Sequence, residues 1–185
     1  FDKLKFKYLK YITQAGGKVE DSTLKYLGQS CKKMNIMLYI MYGQTEASPR
    51  MSYLKWKNFF LKYGSIGQPL IGCSFRIINE KDQIIKKPNI VGELIFYGKN
   101  VSLGYSTGLK NIKKGDINKG KLSTGDLAYR DKNRHYYIVG RKNRISKIFG
   151  LRISLDDIES HLKKHKYQIR CTQDNKFLKI LIKKS

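Results

Sequence analysis

The chain has 185 residues, of which 41% are hydrophobic and 12% aromatic, so it can bury a globular core and is not a disordered chain. No window approaches the ~20 apolar residues of a membrane span, and the first residues lack the layout of a signal peptide. The 38 lysines and arginines exceed the 14 acids by 24. They are spread along the chain without an arginine-rich tract, which favours solvated surface lysines over a specific nucleic-acid site.

The three cysteines (Cys31, Cys73 and Cys171) stand far apart, and no Cys-x-x-Cys pair is present. This spacing is typical of reduced thiols and not of a disulfide or zinc framework. We therefore expect a cytoplasmic protein whose cysteines are small buried hydrophobic residues.

The first elements in chain order predict a βαβ unit. Tyr8–Thr13 has strand composition, Asp21 is a candidate N-cap of a helix with apolar residues at helical spacing, and the apolar run Ile36–Met41 predicts a second strand. Ligands of open α/β sheets collect at the carboxyl ends of the strands. The segment Tyr42–Glu46 would lie at that edge.

From Gly64 onward, frequent short strands with glycine between them predict a small antiparallel barrel or curled sheet. The predicted strands cover residues 75–78, 83–85, 92–97, 121–127, 127–130 and 135–139, with hairpin turns at 79–82 and 131–133.

The pattern changes again after Gly140. Leu155–Lys164 has apolar residues on one helical face, with Ser154 as a candidate N-cap. Tyr167–Cys171 and Phe177–Ile182 predict two further strands. We place a domain boundary near residue 143, so the predicted fold class is α/β followed by a small α+β part.

Three polar segments offer the groups that a nucleotide site needs. These are Tyr42-Gly43-Gln44-Thr45-Glu46, Ser123-Thr124-Gly125-Asp126-Leu127 and Gly140-Arg141-Lys142-Asn143-Arg144. An aromatic ring can stack on a purine, glycine allows the backbone to approach a phosphate, and a carboxylate can hold Mg²⁺. An aspartate and an arginine suit ribose hydroxyls. We expect the three segments to form one wall of a cleft for adenosine, in a protein that activates a carboxylate with ATP.

These segments, together with Gly92-Glu93-Leu94 and the run from Lys147 to Gly150, occur in the order and spacing of the adenylate-forming superfamily. That superfamily includes acyl-CoA synthetases, luciferases and the adenylation domains of peptide synthetases, and the chain resembles part of it from about Tyr8 to its end. The resemblance implies that residues 1–142 are the C-terminal portion of the large AMP-binding domain and residues 143–185 a truncated small C-terminal domain.

The resemblance also implies an activity for the full-length parent. With ATP and Mg²⁺ it would couple a small carboxylic acid to AMP and then pass the acyl group to CoA or to the phosphopantetheine thiol of a carrier protein. Fatty, aromatic and amino acids all stay open as substrates. No specific nucleic acid and no membrane span is expected.

Carried over residue by residue, the resemblance places Tyr42 on the adenine face, Gly43 at a close backbone approach and Gln44 among the nucleotide-binding residues. Thr45 would hydrogen-bond the phosphate and Glu46 would ligate Mg²⁺, so both count as catalytic residues. Physically, a carboxylate is tolerable beside a triphosphate only with a divalent cation between them. For Tyr42, a core aromatic residue at a strand end is the alternative.

Asp126 and Arg141 resemble the family's ribose-binding pair, and Gly16 and Gly17 fall where the family's loop runs beside the adenine and the acyl group. A turn aspartate, a surface cation and a bare glycine turn are the respective alternatives.

The remaining positions belong to the second part of the chain. Asn143 stands at the family's hinge, where Asp or Lys is usual. Lys147 matches a catalytic lysine of the thioester-forming arrangement, and Gly150 matches a glycine beside the pantetheine tunnel.

Three interpretations of the chain remain open. The first is a segment of an enzyme: because the family's phosphate loop and its C-terminal lysine are not found in this sequence, we expect the isolated chain to be nearly or wholly inactive. The second is a non-catalytic remnant with a partial nucleotide pocket. A third is a basic nucleic-acid-binding module, for which the stripe Tyr129, Tyr136 and Tyr137 would be a stacking platform unless these rings pack in the fold.

Overall fold

The computed structural model describes residues 6–148, 151–163, 167–174 and 177–184. The chain divides into two compact units. The first unit is Phe1–Thr124 with Ala128–Ile138, and the second is Gly125–Leu127 with Val139–Ser185.

The described strands are β1 Tyr11–Gln14, β2 Met37–Tyr42, β3 Ser52–Leu54, β4 Gln68–Pro69, β5 Ser74–Ile78, β6 Gly92–Tyr97, β7 Lys121–Arg130, β8 Tyr136–Arg141, β9 Ile145–Ile148, β10 Leu151–Ser154, β11 Tyr167–Asp174 and β12 Phe177–Lys184. The described helices are α1 Asp21–Lys33, α2 Leu109–Ile112 and α3 Leu155–Lys163, and 3₁₀ turns cover Thr45–Ala47, Trp56–Asn58 and Lys142–Arg144. None of the helices in the described ranges is long and apolar enough to cross a membrane.

The predicted βαβ unit is confirmed. Strands β1 and β2 pair in parallel, with Tyr11 opposite Met37, and α1 lies between them in the chain. The helix buries Leu24 and Cys31 in a core that includes Leu38 of β2. Such a parallel pair needs a crossover helix, and the apolar positions at helical spacing supply one.

The start of α1 differs from the prediction. The N-cap is Glu20, which makes no side-chain capping hydrogen bond, and Asp21 is the first helical residue. The prediction that Asp21 is the N-cap was therefore wrong by one position. An aspartate in the first turn still stabilises the helix, because its charge opposes the positive end of the helix dipole.

The first sheet has the order β1-β2-β3-β4, in which β2–β3 and β3–β4 are antiparallel. A glycine brings α1 close to the segment that follows β3. A Cβ on Gly28 would lie 2.3 Å from the ring of Phe59, so the fully buried Phe59 fills the space that a side chain on the helix would need.

The later strands form a second sheet in the order β5-β6-β7-β8. Strand β6 matches the predicted range 92–97, and the turn from Asp131 into β8 is closed by the Asp131 amide donating to the His135 carbonyl at 2.9 Å. The two short strands predicted at 121–127 and 127–130 are one continuous strand, β7.

One predicted hairpin arm does not form a strand. The turn at residues 79–83 closes as expected, with the Asn79 amide donating to the Gln83 carbonyl at 2.9 Å, but only a single bridge joins Ile78 and Ile84. Strand β5 also pairs with β6, with Ile77 opposite the fully buried Leu94. The local arm keeps a short contact with β5, in which the Ile85 amide donates to the Ile77 carbonyl at 2.7 Å, but it is too short to form a strand.

The tyrosine stripe packs within the fold. The rings of Tyr129 and Tyr137 stack nearly parallel with centroids 4.9 Å apart. Tyr136 is buried, and its hydroxyl donates to the Phe75 carbonyl at 3.3 Å. These contacts favour the packing interpretation over a base-stacking platform.

The cysteines are free thiols. Cys31 and Cys171 are fully buried, whereas Cys73 is half-buried. Burial raises the pKa of all three thiols, which keeps them protonated and unreactive at neutral pH.

In the second unit, the predicted cap of the last helix is confirmed: the Ser154 hydroxyl accepts from the Asp157 amide at 3.1 Å. Strands β11 and β12 pair antiparallel over their whole length. Leu155, Ile169 and Cys171 form the buried core of this unit.

Candidate nucleotide-binding site

A short loop connects β2 to β3 and carries the first motif. The Met51 amide donates to the Tyr42 carbonyl at 3.0 Å and closes the loop at its base. Within it, Thr45–Ala47 form a 3₁₀ turn that ends at Ser48 in the left-handed region, with φ 55°. Ala47 is fully buried and anchors the turn in the core. Thr45 is exposed and Glu46 is half-buried, so both remain at the surface.

Gly43 is required by the fold of this loop itself. A Cβ at this position would lie 1.6 Å from the Pro49 carbonyl oxygen. Real contacts of this kind are about twice as long, so any side chain would push the two arms of the loop apart. The role of Gly43 in approaching a phosphate stays a prediction, and the contact with Pro49 is a second, structural reason for the glycine.

Asn100 braces the loop from the segment that follows β6. Its amide nitrogen donates to the carbonyls of Ala47 at 2.6 Å and Arg50 at 2.9 Å. The Ser48 hydroxyl donates to the Asn100 carbonyl at 3.1 Å. Sequence reasoning missed Asn100, because only the tertiary structure brings it to the loop. The signal in the sequence was Gly98, followed two residues later by Asn100, directly after the predicted strand at residues 92–97.

The same segment also reaches Glu46. The Ser102 amide donates to the Glu46 carbonyl at 2.8 Å, and the Tyr105 hydroxyl donates to the Glu46 carboxylate. This hydrogen bond is the main reason why the pKa of Tyr105 is raised above its ordinary value. Tyr105 was not predicted as a site residue, although it contacts the carboxylate that we expect to hold Mg²⁺.

Tyr42 makes the core contact that the alternative interpretation expects. It is half-buried against the cluster around Phe75, with the two ring centroids 6.2 Å apart in an edge-on arrangement. Stacking of this ring on adenine stays a prediction.

Gln44 joins the first motif to the second. Its side-chain nitrogen donates to the Thr124 carbonyl at 2.8 Å, across 80 residues of sequence. Thr124 is buried, and its hydroxyl donates to the Leu94 carbonyl of β6 at 2.7 Å. Within the first unit, the structure therefore joins the predicted Tyr42–Glu46 segment to Thr124 through one hydrogen bond.

In the second unit, Asp126 and Arg141 form the ion pair that we expect to bind ribose. The Arg141 Nε lies 2.9 Å from the Asp126 Oδ1. The Asp126 side chain is 6% exposed and the Arg141 side chain 52% exposed. The carboxylate is therefore nearly buried, whereas half of the arginine side chain that pairs with it is in contact with solvent. Gly125, the residue before Asp126 in β7, has a φ of +68°, a backbone conformation that glycine adopts without strain.

The other predicted positions lie at turns or outside the described residues. Gly16, with φ +90°, and Gly17 form an exposed turn just after β1, closed by the Gln14 side-chain amide donating to the Gly17 carbonyl at 2.8 Å. This turn lies at the same carboxyl edge of the parallel pair as Tyr42, because Gln14 is opposite Ile40.

Asn143 is exposed in the 3₁₀ turn Lys142–Arg144 and is not among the residues with positive φ. Lys147 belongs to β9, but its side chain lies outside the described part of the structure, and Gly150 lies outside the described residues altogether. Their predicted roles, like the convergence of all three motifs on one cleft wall, stay predictions.

Arg144, directly after the predicted hinge, has a structural role that the sequence did not reveal. Its guanidinium lies 2.7 Å from the Asp156 carboxylate and 2.6 Å from the Glu159 carboxylate, and it donates to the Cys171 carbonyl at 2.8 Å. The hydrogen bonds that the guanidinium donates to Glu159 and Asp156 raise the pKa of Arg144. This arginine therefore ties the turn at residues 142–144 to α3 and β11 within the second unit.

Comparison with known proteins identifies the family of the chain. The model of the family described as AMP-binding enzyme matches residues 2–106. The 2-succinylbenzoate–CoA ligase of Bacillus cereus is 34% identical over 141 residues, which cover 76% of this chain and 29% of that protein.

Solved structures show the same fold. The o-succinylbenzoate coenzyme A synthetase of Bacillus subtilis in complex with ATP and magnesium ion superimposes with a TM-score of 0.74 at 24% identity, covering 96% of this chain and 37% of that one. The complex of this synthetase with AMP gives a TM-score of 0.72 at 25% identity, covering 95% and 37%.

The α/β fold and the match of the family model over residues 2–106 define an AMP-binding type of protein. This chain belongs to the AMP-binding enzyme family. It spans less than a third of the length of the curated relatives that it matches.

Proposed function

We propose that this chain is the part of an AMP-forming acid–thiol ligase that contributes one side of the ATP site. In the longer protein, the carboxylate of a small acid attacks the α-phosphorus of ATP and pyrophosphate leaves. The thiol of CoA then attacks the acyl carbon of the acyl-adenylate, the bond between that carbon and the phosphate oxygen breaks, and the thioester and AMP are released. The CoA-ligase relative supports CoA as the acceptor, and a carrier-protein thiol remains the second acceptor.

The observation that carries the proposal is the nearly buried Asp126 carboxylate held at 2.9 Å by Arg141. A carboxylate has two acceptor oxygens, so it can accept hydrogen bonds from the two hydroxyls of a ribose. The half-exposed arginine can donate to the same sugar. A phosphate alone would be repelled by Asp126, so the pair suits a nucleoside better than a free anion.

The loop around Glu46 has the donor set for a phosphate with its metal ion. The exposed Thr45 hydroxyl can donate to a phosphate oxygen, and the Glu46 carboxylate is an oxygen ligand of the kind that Mg²⁺ prefers. Mg²⁺, when bound, would neutralise charge on the triphosphate and on the leaving pyrophosphate. The chain's own contribution is to hold Thr45 and Glu46 on a turn that Asn100 and Ser102 fix in place.

The small domain supplies the groups proposed for the second half-reaction. We assign Lys147 to the thioester-forming arrangement, Gly150 to the pantetheine tunnel and Asn143 to the hinge between the two arrangements. These three assignments rest on the motif positions.

Nucleotide binding by this chain and catalysis by the longer protein test the proposal separately. Binding of a fluorescent ATP analogue with Mg²⁺ is measured by anisotropy, and we expect Asp126→Asn to weaken it by roughly tenfold. Asp116→Asn, at an exposed turn, is the matched control.

In the longer protein, pyrophosphate release is measured with a panel of carboxylic acids that includes 2-succinylbenzoate. If Asp126→Asn binds the ATP analogue as tightly as the wild type, the assignment of Asp126 to the ribose is rejected. Absence of pyrophosphate release with every acid, in a protein that binds ATP, would reject the ligase activity.

A further inference from the structure

Two adjacent apolar side chains project from the first unit just after the turn Trp56–Asn58. Phe60 is 49% exposed and Leu61 is 81% exposed, although Phe59 beside them is 1% exposed. Single exposed apolar residues are common on protein surfaces, whereas contiguous exposed apolar patches often mark interaction sites. Phe59 anchors the segment against Gly28 of α1, so Phe60 and Leu61 are held outward by a packed core residue.

Lysines lie around this pair. The Lys32 Nζ lies 5.3 Å from the Phe60 ring centroid, and the Lys25 Nζ lies 5.9 Å from the Tyr63 ring centroid. Lys25 and Lys32 are seven residues apart in α1 and therefore share one face of the helix. Lys57 is also exposed, two residues before Phe59.

The charge of this region is mostly positive. From Glu20 to Tyr63 the sequence contains six lysines and one arginine against three acids, Glu20, Asp21 and Glu46. Lys62 pairs with Asp131 at 2.7 Å. Asp21 also lies beside this region, because its backbone carbonyl accepts from the Tyr63 hydroxyl at 2.8 Å.

We propose that this basic apolar surface, defined by Lys25, Lys32, Lys57, Phe60 and Leu61, docks on an anionic lipid bilayer. Phe60 and Leu61 enter the interfacial region, while the lysines keep their ammonium groups among the headgroups and their alkyl chains along the apolar side chains. Anionic headgroups complement the excess of lysines. A single-stranded nucleic acid fits less well, since the most exposed residue, Leu61, has no flat ring on which a base can stack.

The chain carries its own reporter for this contact. Trp56 is its only tryptophan, and the Trp56 ring centroid lies 5.4 Å from that of Phe60. The chain is mixed with phosphatidylcholine vesicles that contain about 30% phosphatidylglycerol, in about 0.15 M salt. Binding is measured by co-sedimentation and by the shift of the Trp56 emission, with pure phosphatidylcholine vesicles as the comparison. We expect binding and a blue shift with the anionic vesicles only.

Leu61→Ser is the decisive variant, because it keeps every charge and removes the most exposed apolar side chain of the surface. We expect it to weaken vesicle binding by roughly tenfold and to abolish the blue shift. Ile71→Ser is the matched control, since Ile71 is a fully exposed residue elsewhere in the same unit, and it should behave as the wild type. The double variant Lys32→Gln, Lys57→Gln should weaken binding by about tenfold as well.

Phe60 is left unchanged because its ring also packs edge-on against Phe59, with centroids 5.1 Å apart. Equal binding and an equal blue shift for Leu61→Ser and the wild type would overturn the proposal and leave only diffuse attraction to a cationic chain. The proposal would also fail if the chain did not bind vesicles but self-associated through Leu61, so that Leu61→Ser abolished the self-association. It would fail as well if the binding that depends on Leu61 were tighter for polyuridine RNA than for vesicles.

Discussion

The loop from Tyr42 to Met51 in the first unit and the pair Asp126–Arg141 in the second are both proposed to bind the nucleotide, yet different forces hold them. In the loop, the backbone of Gly43 packs directly against Pro49, and the Asn100 amide donates to two loop carbonyls. These are steric contacts and neutral hydrogen bonds. The pair depends on one charge–charge contact between a nearly buried carboxylate and a half-exposed guanidinium.

The two parts should respond differently to salt and to a bound nucleotide. Steric contacts and neutral hydrogen bonds depend little on ionic strength, and because they lie within the chain itself, they fix the shape of the loop before a nucleotide binds. A partly exposed ion pair is screened by salt and loses little free energy when its partners rearrange. We therefore expect a rigid phosphate side and an adaptable ribose side of the site.

The largest effect should come from Gly43→Ala. The new Cβ would lie 1.6 Å from the Pro49 carbonyl oxygen, so the loop must open. We expect the free energy of unfolding of the first unit to fall by about 3 kcal/mol or more, measured by urea denaturation. Gly17→Ala is the control, because nothing lies within 4 Å of a Cβ there. Equal stability of the two variants would show that the loop yields easily and is not rigid.

Asn100→Ala should have the second-largest effect. It removes the donor to the Ala47 and Arg50 carbonyls, and we expect a loss of about 1–3 kcal/mol in the free energy of unfolding. The loss should be the same at low and high salt, because both hydrogen bonds are neutral. Asn111→Ala is the control, since its amide bonds only the nearby Thr107 hydroxyl at 2.8 Å among the contacts described. A loss that shrinks with added salt would contradict the comparison.

Asp126→Asn should cost less stability than Asn100→Ala. Because the Arg141 side chain is 52% exposed, solvent screens the pair, and we expect a loss of about 1 kcal/mol or less. The loss should decrease between about 0.05 M and about 1 M NaCl, measured by urea denaturation at both salt concentrations. A loss larger than that of Asn100→Ala, and unchanged by salt, would reverse the assignment of the rigid and adaptable sides.

The smallest effect should come from Tyr105→Phe. The hydroxyl donates to the Glu46 carboxylate at the surface, so its removal should leave the unfolding midpoint unchanged. If Glu46 holds the metal ion, one competing donor is lost, and we expect the affinity for Mn²⁺ with ATP to rise by roughly twofold. Water-proton relaxation measures this affinity, and Tyr26→Phe on α1 is the control. A fall in affinity would mean that Tyr105 positions Glu46 for the metal.

Much of the fold follows from local patterns. Strand β6 agrees with its prediction at both ends, and the Ser154 cap and the paired strands β11 and β12 are also confirmed. In each case the pattern is local: an apolar run between turn residues, or a hydroxyl before a helix. The N-cap at Asp21 was wrong because Glu20 and Asp21 are both acidic, and the local pattern could not separate the cap from the first turn.

By itself, the sequence determined the βαβ unit, the family and the residues that carry polar groups to the strand ends, because strand and helix periods and short motifs are properties of neighbouring residues. The tertiary structure decided that β5 pairs with β6, that Asn100 holds the Thr45–Glu46 turn and that Arg144 ties its turn to α3 and β11. These contacts join residues that are distant in sequence. They form only where packing brings a donor to an acceptor, and no local period records which pairs will meet.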